Sequence, residues 1–410
     1  MSATVPRPSG DAPGLIPFLA LLSALGPLSN DLYVPSLPLV SAALGAGGGA
    51  VQLTMSSLLI GFSLGALIYG PLSDRYGRKP ILCVGLGVYV VACVLSACSE
   101  SLGALVTSRF LQGLGAAAAM VLSRAIILDR WSGAEASRAI SWVAMFTFLT
   151  PVIAPIVGGY VASWGMWTAV FWLQAAAGML CLAVTALLLP RVRKAFSGSL
   201  IDSVLAYGAI LKDRHAIGYM ACSGLGFIGV IAFVTNSAFV LIEDFGLEPH
   251  HYGYGFALVM LGGSIGSFLN GRLVRALGIS AMLGIGTTLL GIGGASLIVA
   301  VGAGAELLGV LGPSLVYMLG VGFVFANAMA RTLGRFPTQG GAASSLFGVI
   351  QFLVGALVAA ALSLVEEPTP YPLAGTMAAA GVGCALVWWA WLRRLAARTD
   401  LPATRSGAGD

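Results

Sequence analysis

One carboxylate sits where chemistry is the best reason for it. Asp31 interrupts an apolar run that opens at Leu15 and continues past it through Leu32, Val34, Leu37, Leu39 and Val40. No other acidic residue lies well inside such a run. A charge at the centre of a bilayer costs about 2.5–3.5 kcal/mol on the mildest scale, so a carboxylate kept there points to function, and its natural task is to load and release a proton. Arg109 is the matching cation. It lies about seven residues, roughly 10 Å of helix, from the start of its own run at Leu102, while Asp31 lies about nine residues, roughly 13 Å, from Val40. With the two runs antiparallel, both residues fall at similar depth, and they are expected to meet.

Other polar or soft side chains share the apolar runs. Asn30, Met55, Gln112, Met145, Phe146, Phe233, Asn236, Asn327 and Gln351 together describe a mainly apolar cavity with few polar handles, which suits poorly selective binding. Arg124 reads as a side chain snorkelling from the inner end of its helix. His215, His250 and His251 read as solvated loop histidines with no Cys or acidic residue at ligand spacing, so no metal site is expected. The six cysteines fall in or beside apolar runs and read as small buried hydrophobes, with Cys98 near a loop.

These residues need elements that hold them in a membrane. Of the 410 residues 58% are hydrophobic and 9% charged, against about 25% charged in a soluble protein. Mean hydropathy is +0.93. That balance excludes a soluble globular fold, a disordered chain and a disulfide scaffold. A spanning helix takes about 20 apolar residues. Runs of that length fall at about 15–40, 52–72, 80–99, 102–128, 138–162, 166–189, 216–241, 252–271, 279–301, 305–330, 341–364 and 372–393, an all-α polytopic membrane protein with twelve spans. The first run is too long for a signal peptide, and further spans follow at once.

All but two of the 21 Lys and Arg residues fall in alternate connections, which the positive-inside rule places in the cytoplasm together with both termini. The exceptions, Arg109 and Arg124, lie within the fourth run. The net charge of +5 is therefore topogenic, and no nucleic-acid partner is expected. The longest basic connection divides the runs six and six. The expected organisation is a tail (1–14), a six-helix bundle (15–189), a basic linker (190–215), a second bundle (216–393) and a second tail (394–410). A faint repeat supports it: GPLSDRYG at 70–77 is echoed by GRLVRALG at 271–278, each following the second run of its half. Two such halves suit a rocking-bundle transporter.

Five segments give the chain a family resemblance. GPLSDRYGRKPIL (70–82) resembles the loop signature of the major facilitator superfamily. LVTSRFLQGLGAA (105–117) looks like the fourth-helix signature of its proton-coupled members, with Arg109 at the arginine position. PVIAPIVGGY (151–160) is similar to the antiporter motif of the fifth helix through Pro155, Gly158 and Gly159, although Thr150 and Ala154 stand where the motif has glycine. SNDLYVPSLP (29–38) and GAASSLFGVIQ (341–351) look like the Bcr/CflA branch of drug:proton antiporters. The resemblance implies the major facilitator fold in a bacterial inner membrane, proton coupling through Asp31 and Arg109, and a cytoplasmic gate at Asp74, Arg75, Gly77, Arg78 and Asp129. Positive-inside sorting has no use for Asp74. A contact from it to the N-terminus of the eleventh helix, near Gly341, would latch the halves together.

The expected protein is a proton-coupled antiporter exporting drug-like molecules by alternating access, acting as a monomer and not as an enzyme. A dedicated exporter of one endogenous or biosynthetic metabolite fits the sequence equally. No phosphate-binding loop of the G-x-x-x-x-G-K-[ST] type occurs, so the energy source is the proton gradient and no cofactor is expected.

Overall fold

The computed structural model describes residues 14–131, 133–189, 207–336, 339–365 and 369–393. Residues 1–13 and 394–410 of the expected tails, residues 190–206 of the linker, and the side chains of Met145 and Phe146 lie outside the described residues. The described chain is helical: α1 (Leu15–Asp31), α2 (Leu37–Leu44), α3 (Gly48–Tyr76), α4 (Arg78–Ala97), α5 (Leu102–Arg130), α6 (Gly133–Ser163), α7 (Ala169–Leu188), α8 (Arg214–Ala238), α9 (Pro249–Gly302), α10 (Leu307–Arg335), α11 (Gly340–Leu362) and α12 (Pro370–Leu386).

Among the described residues ten stretches are long and apolar enough to cross a membrane, one of them Leu15–Leu44, which combines α1 and α2. Two of the twelve runs read from the sequence account for the difference. Those at 252–271 and 279–301 are joined in α9, whose 54 residues are continuous except at Gly278. Of α6, only Leu149–Ser163 enters as a shorter apolar helix. Side chains such as Leu187, 80% exposed, and Leu308, 77% exposed, stand on the outside of the helices, where lipid and not water must solvate them.

The faint sequence repeat has a conformational counterpart. Its final glycines, Gly77 and Gly278, adopt nearly the same backbone, φ 94° and ψ 153° for the first and φ 81° and ψ 158° for the second. That region is essentially closed to any residue with a Cβ. Each glycine ends one long helix and turns the chain into the next, at the end of the molecule that carries the Lys and Arg.

Contacts sort the helices into two groups. In the first, α3 packs on α5, α4 on α5 and α7, and α1 on α5 and α6. In the second, α9 packs on α10 and α12, and α8 on α10, α11 and α12. Between the groups the main contacts are α6 with α9 and α3 with α11. Lipid gives helices no hydrophobic reason to associate, so close approach through small residues does the work.

Candidate functional site

The site is built around a break in the first span. Pro27 lies inside α1, and Pro35 and Pro38 follow its end. Proline has no N–H to donate, so the helical ladder fails here. Tyr33 N–H turns back to Asn30 O at 3.2 Å, and Ser36 N–H to Tyr33 O at 2.9 Å. The carbonyl of Ser29, which a continuous helix would satisfy through Tyr33, is left free. Arg109 Nη1 donates to it at 2.9 Å and Gln174 Nε2 at 3.3 Å.

Arg109 is wholly buried and fully engaged along one edge. Nη1 also donates to Gln112 Oε1 at 2.7 Å, and Nη2 approaches the Met55 sulfur at 3.8 Å. The guanidinium lies 4.6 Å from the Tyr33 ring centroid, a cation–π distance. Gln112 Nε2 continues the network to Gln174 Oε1 at 2.6 Å. A cation at the negative C-terminal end of α1 also complements the helix dipole. Arg109 therefore caps a broken helix.

Asp31, the last residue of α1, is only 5% exposed. Asn30 Nδ2 donates to its Oδ1 at 3.0 Å. The expected pairing with Arg109 is not formed: among the described residues no hydrogen bond or ion pair joins them. The depth estimate brought both to the same turn, but the freed Ser29 carbonyl takes the guanidinium instead. The turn Val34–Ser36 just beyond Asp31 contacts α8 and α9 of the other helical group, which carry Ser237 and Tyr252. Tyr252 is hydrogen-bonded to Ser237 at 2.9 Å.

Asn236 also lies between the groups. It accepts from Gln52 Nε2 of α3 at 3.2 Å, while Gln52 Oε1 is buried without a partner. Asn30 Oδ1 is likewise buried and unpartnered. Met55 and Gln112 belong to the Arg109 network. Phe233, expected in the cavity, is fully buried against Phe256 with ring centroids 5.4 Å apart, so it is core here. Asn327 donates to Asn270 at 2.6 Å and Gln351 to Ser223 at 3.4 Å, both inside the second group.

Pro155, Gly158 and Gly159 form the seam between α6 and its neighbours. A Cβ on Gly159 would collide with the carbonyl oxygen of Pro249 and stand 3.1 Å from His250 Cα. A Cβ on Gly253 would meet Pro155 O at 2.7 Å and Ile156 Cα at 2.8 Å. Gly158 instead faces the carbonyl of Leu32, within its own group. The two groups thus touch backbone to backbone at the end of the bundle that lacks Lys and Arg.

At the basic end, Arg78 and Arg335 each bind acidic residues of their own group. Arg78 pairs with Asp74 at 2.5 Å and with Asp129 at 2.8 Å, tying α3, α4 and α5 together. Gly341, toward which the latch from Asp74 was expected, lies outside the described side chains; among the described residues the Asp74 carboxylate is held by Arg78, just beyond the Gly77 turn. Arg75 is exposed beside Tyr76, and Gly77 makes the turn described above. In the second group, Asp213 caps α8 by accepting from His215 N–H and Ala216 N–H, both at 2.9 Å, and takes a two-pronged contact from Arg335. Burial alone pushes the Asp213 carboxyl up, but the Arg335 hydrogen bond, the two amides and the Arg335 charge together hold it below the usual range.

Sequence reasoning passed over Gln52, Gln174, Asp213 and Arg335. The glutamines carried a usable signal, an amide at the margin of or within an apolar run. Asp213 carried another, an N-cap aspartate opening a span. The histidines also need correcting: Glu248, His250 and His251 bring their ligand atoms within 4.8 Å of one another.

Two helical groups of antiparallel spans, meeting at a glycine seam with a buried carboxylate beside it, define a polytopic membrane transporter. The chain belongs to the Major Facilitator Superfamily, whose profile matches residues 19–360. It is 32% identical to a bicyclomycin resistance protein homolog of Haemophilus influenzae, over 90% of this chain and 94% of that one. It is 27% identical to the multidrug resistance protein MdtL of Escherichia coli, over 80% of this chain and 83% of that one. In fold it matches the crystal structure of a D-xylose-proton symporter with a TM-score of 0.74 at 16% identity, covering 92% of this chain and 97% of that one. It is an integral multi-pass membrane protein of a transport family and not an enzyme.

Proposed function

We propose that this chain is a proton-coupled secondary exporter of drug-like small molecules in a bacterial inner membrane, with Asp31 as the coupling carboxylate. In this reading the 54-residue α9 counts as two spans and α6 as one, which makes twelve spans in two bundles of six with both termini in the cytoplasm. The positive-inside asymmetry and the matching turns at Gly77 and Gly278 support that arrangement. The basic linker joins the bundles, and one copy suffices.

The observation that carries the reading is the state of Asp31. It is buried just before the Val34–Ser36 turn, which touches the other group, and among the described residues it is held by one amide and no cation. A carboxylate so placed can exchange a proton for a substrate when the seam opens. Arg109, with Gln112 and Gln174, holds the broken helix in the geometry that keeps Asp31 at the interface. The glycines of α6 and α9 close the non-basic end, and Asp74, Arg78 and Asp129 brace the basic end while it is free to open. Asn30, Met55, Gln52 and Asn236 line the space that opening would create. Relatives named for bicyclomycin resistance and multidrug resistance direct the choice of substrates.

The test is a susceptibility panel in an efflux-deficient bacterial host, with bicyclomycin among the compounds, together with drug-dependent proton release from everted membrane vesicles. Asp31→Asn should abolish both resistance and proton release at equal membrane abundance, since an amide cannot titrate. Export of an electroneutral drug by Asp31→Asn at the wild-type rate against a gradient would remove Asp31 from the coupling role. Resistance to one compound alone would identify a dedicated exporter.

A further inference from the structure

We propose that Glu248, His250 and His251 form a divalent transition-metal site on the rim of the non-basic end, and that its occupation favours the closed seam there. The three residues open α9: Glu248 is its N-cap, and the two histidines lie in its first turn behind Pro249. Their ligand atoms all lie within 4.8 Å of one another, and His250 Nδ1 is 3.3 Å from Glu248 Oε2. The two imidazole rings are 4.0 Å apart between centroids. Two imidazoles and a carboxylate, with water in the fourth position, are a donor set for zinc and for the neighbouring ions nickel and copper. The partial positive charge of a helix N-terminus opposes a cation, so the site needs its own carboxylate and a negative surrounding. Glu243 and Asp244 at the end of the preceding span supply the latter, and no Lys or Arg lies between them and Tyr254.

The surroundings also hold the ligands in place. His250 is stacked on Tyr160 of α6, with ring centroids 5.8 Å apart and planes at 25°. The Tyr160 hydroxyl shares a 2.7 Å hydrogen bond with Tyr254, one turn further along α9. Tyr160 belongs to one helical group and the histidines to the other, so the metal-ligating ring is itself part of the contact between groups. Fixing that ring by coordination preserves the surface on which Tyr160 rests, and separating the groups would then have to give up a preorganised stack.

The site itself can be tested without any transport assay, on the purified full chain carrying no polyhistidine tag and with the exposed Cys98 replaced by Ser. Isothermal titration with zinc chloride should show one ion per chain at pH 7.5. His250→Gln and His251→Gln should each weaken it about tenfold or more, since even an outer-shell change costs 10–100-fold. Tyr160→Phe, which keeps the ring, should bind as wild type does. Absence of zinc binding, or binding unchanged in both histidine variants, overturns the site. The effect on the seam rests on the transport reading. Zinc added on the non-basic side should slow export by the wild type and not by His250→Gln. Binding with undiminished export overturns the closure and leaves the site standing, whereas a wild type that exports nothing without zinc overturns the transport reading alone.

Discussion

Adjacent glycines of α6 should fail in different ways when given a methyl group, because one faces its own helical group and the other faces the opposite one. The cleanest perturbation across the seam is Gly253→Ala. Its Cβ would stand 2.7 Å from Pro155 O and 2.8 Å from Ile156 Cα, both backbone atoms that cannot turn aside. Ordinary carbon contacts begin near 3.5 Å, so the closed seam would have to part by roughly 0.7 Å. Overpacking of this kind costs about 1–3 kcal/mol. The penalty vanishes once the groups separate, so it acts on the balance between closed and open, and 1–3 kcal/mol is a shift of about 5–150-fold. Helix propensity gained by alanine is present in both states and cancels. Gly159→Ala, aimed at Pro249 and His250, should behave alike. Gly158→Ala should lower stability and membrane abundance instead, because it pushes on Leu32 within one group. Gly255→Ala, with no atom nearer than 3.8 Å, is the control and should be silent. The assay is the rate at which an impermeant maleimide, added on the non-basic side, labels a single cysteine placed at Asn236 in a cysteine-free background. Gly253→Ala and Gly159→Ala should raise that rate, and Gly158→Ala and Gly255→Ala should not. Equal labelling in all four would refute the division of the glycines between seam and group interior.

Three further outcomes follow from named contacts. Arg109→Lys keeps the charge, but its shorter side chain stops short of the Nη1 position from which one atom donates to both Ser29 O and Gln112 Oε1; losing one charged hydrogen bond costs about 1.5–3 kcal/mol, so the thermal unfolding temperature should fall and export should fail, and a variant that exports normally would show that this donor is dispensable. Gly278→Ala meets no atom within 4 Å yet is strained by its positive φ, so it should cost about 1–3 kcal/mol in thermal unfolding, while Gly271→Ala, equally unobstructed and helical, should cost nothing. Asp213 has a carboxyl held below its unfolded value, so its contribution to stability is present above an unfolded pKa of about 3.9 and fades as the pH falls through the lower folded value. The stability difference between wild type and Asp213→Ala, read from denaturation at a series of pH values, should therefore shrink below about pH 4, and a difference that grows on acidification would reverse the assignment.

What the sequence determined alone is what depends on sums along the chain. Hydropathy, the length of an apolar run and the side on which Lys and Arg accumulate are additive properties, and the bilayer reads them without reference to any tertiary contact. The repeat was legible for a related reason: a glycine at a fixed offset marks a backbone shape that other residues cannot take, and Gly77 and Gly278 share it. Asp31 announced itself because a lone carboxylate in an apolar run is costly wherever the helices pack. Partnership was a different matter. Depth placed Arg109 beside Asp31, but whether they bond depends on which acceptors compete for the guanidinium, and the carbonyl that wins is freed only by how the backbone turns between Asn30 and Ser36. The partner seen for Asp74, Arg78, lies four residues on across the Gly77 turn, whereas any cross-bundle partner must be brought to it by rigid-body docking. Glu248, His250 and His251 were judged by ligand spacing along the chain, whereas a helical first turn folds those three side chains onto a common point. A buried polar group takes the partner that the rotation and approach of its helices present, and that choice exists only once the tertiary structure is formed.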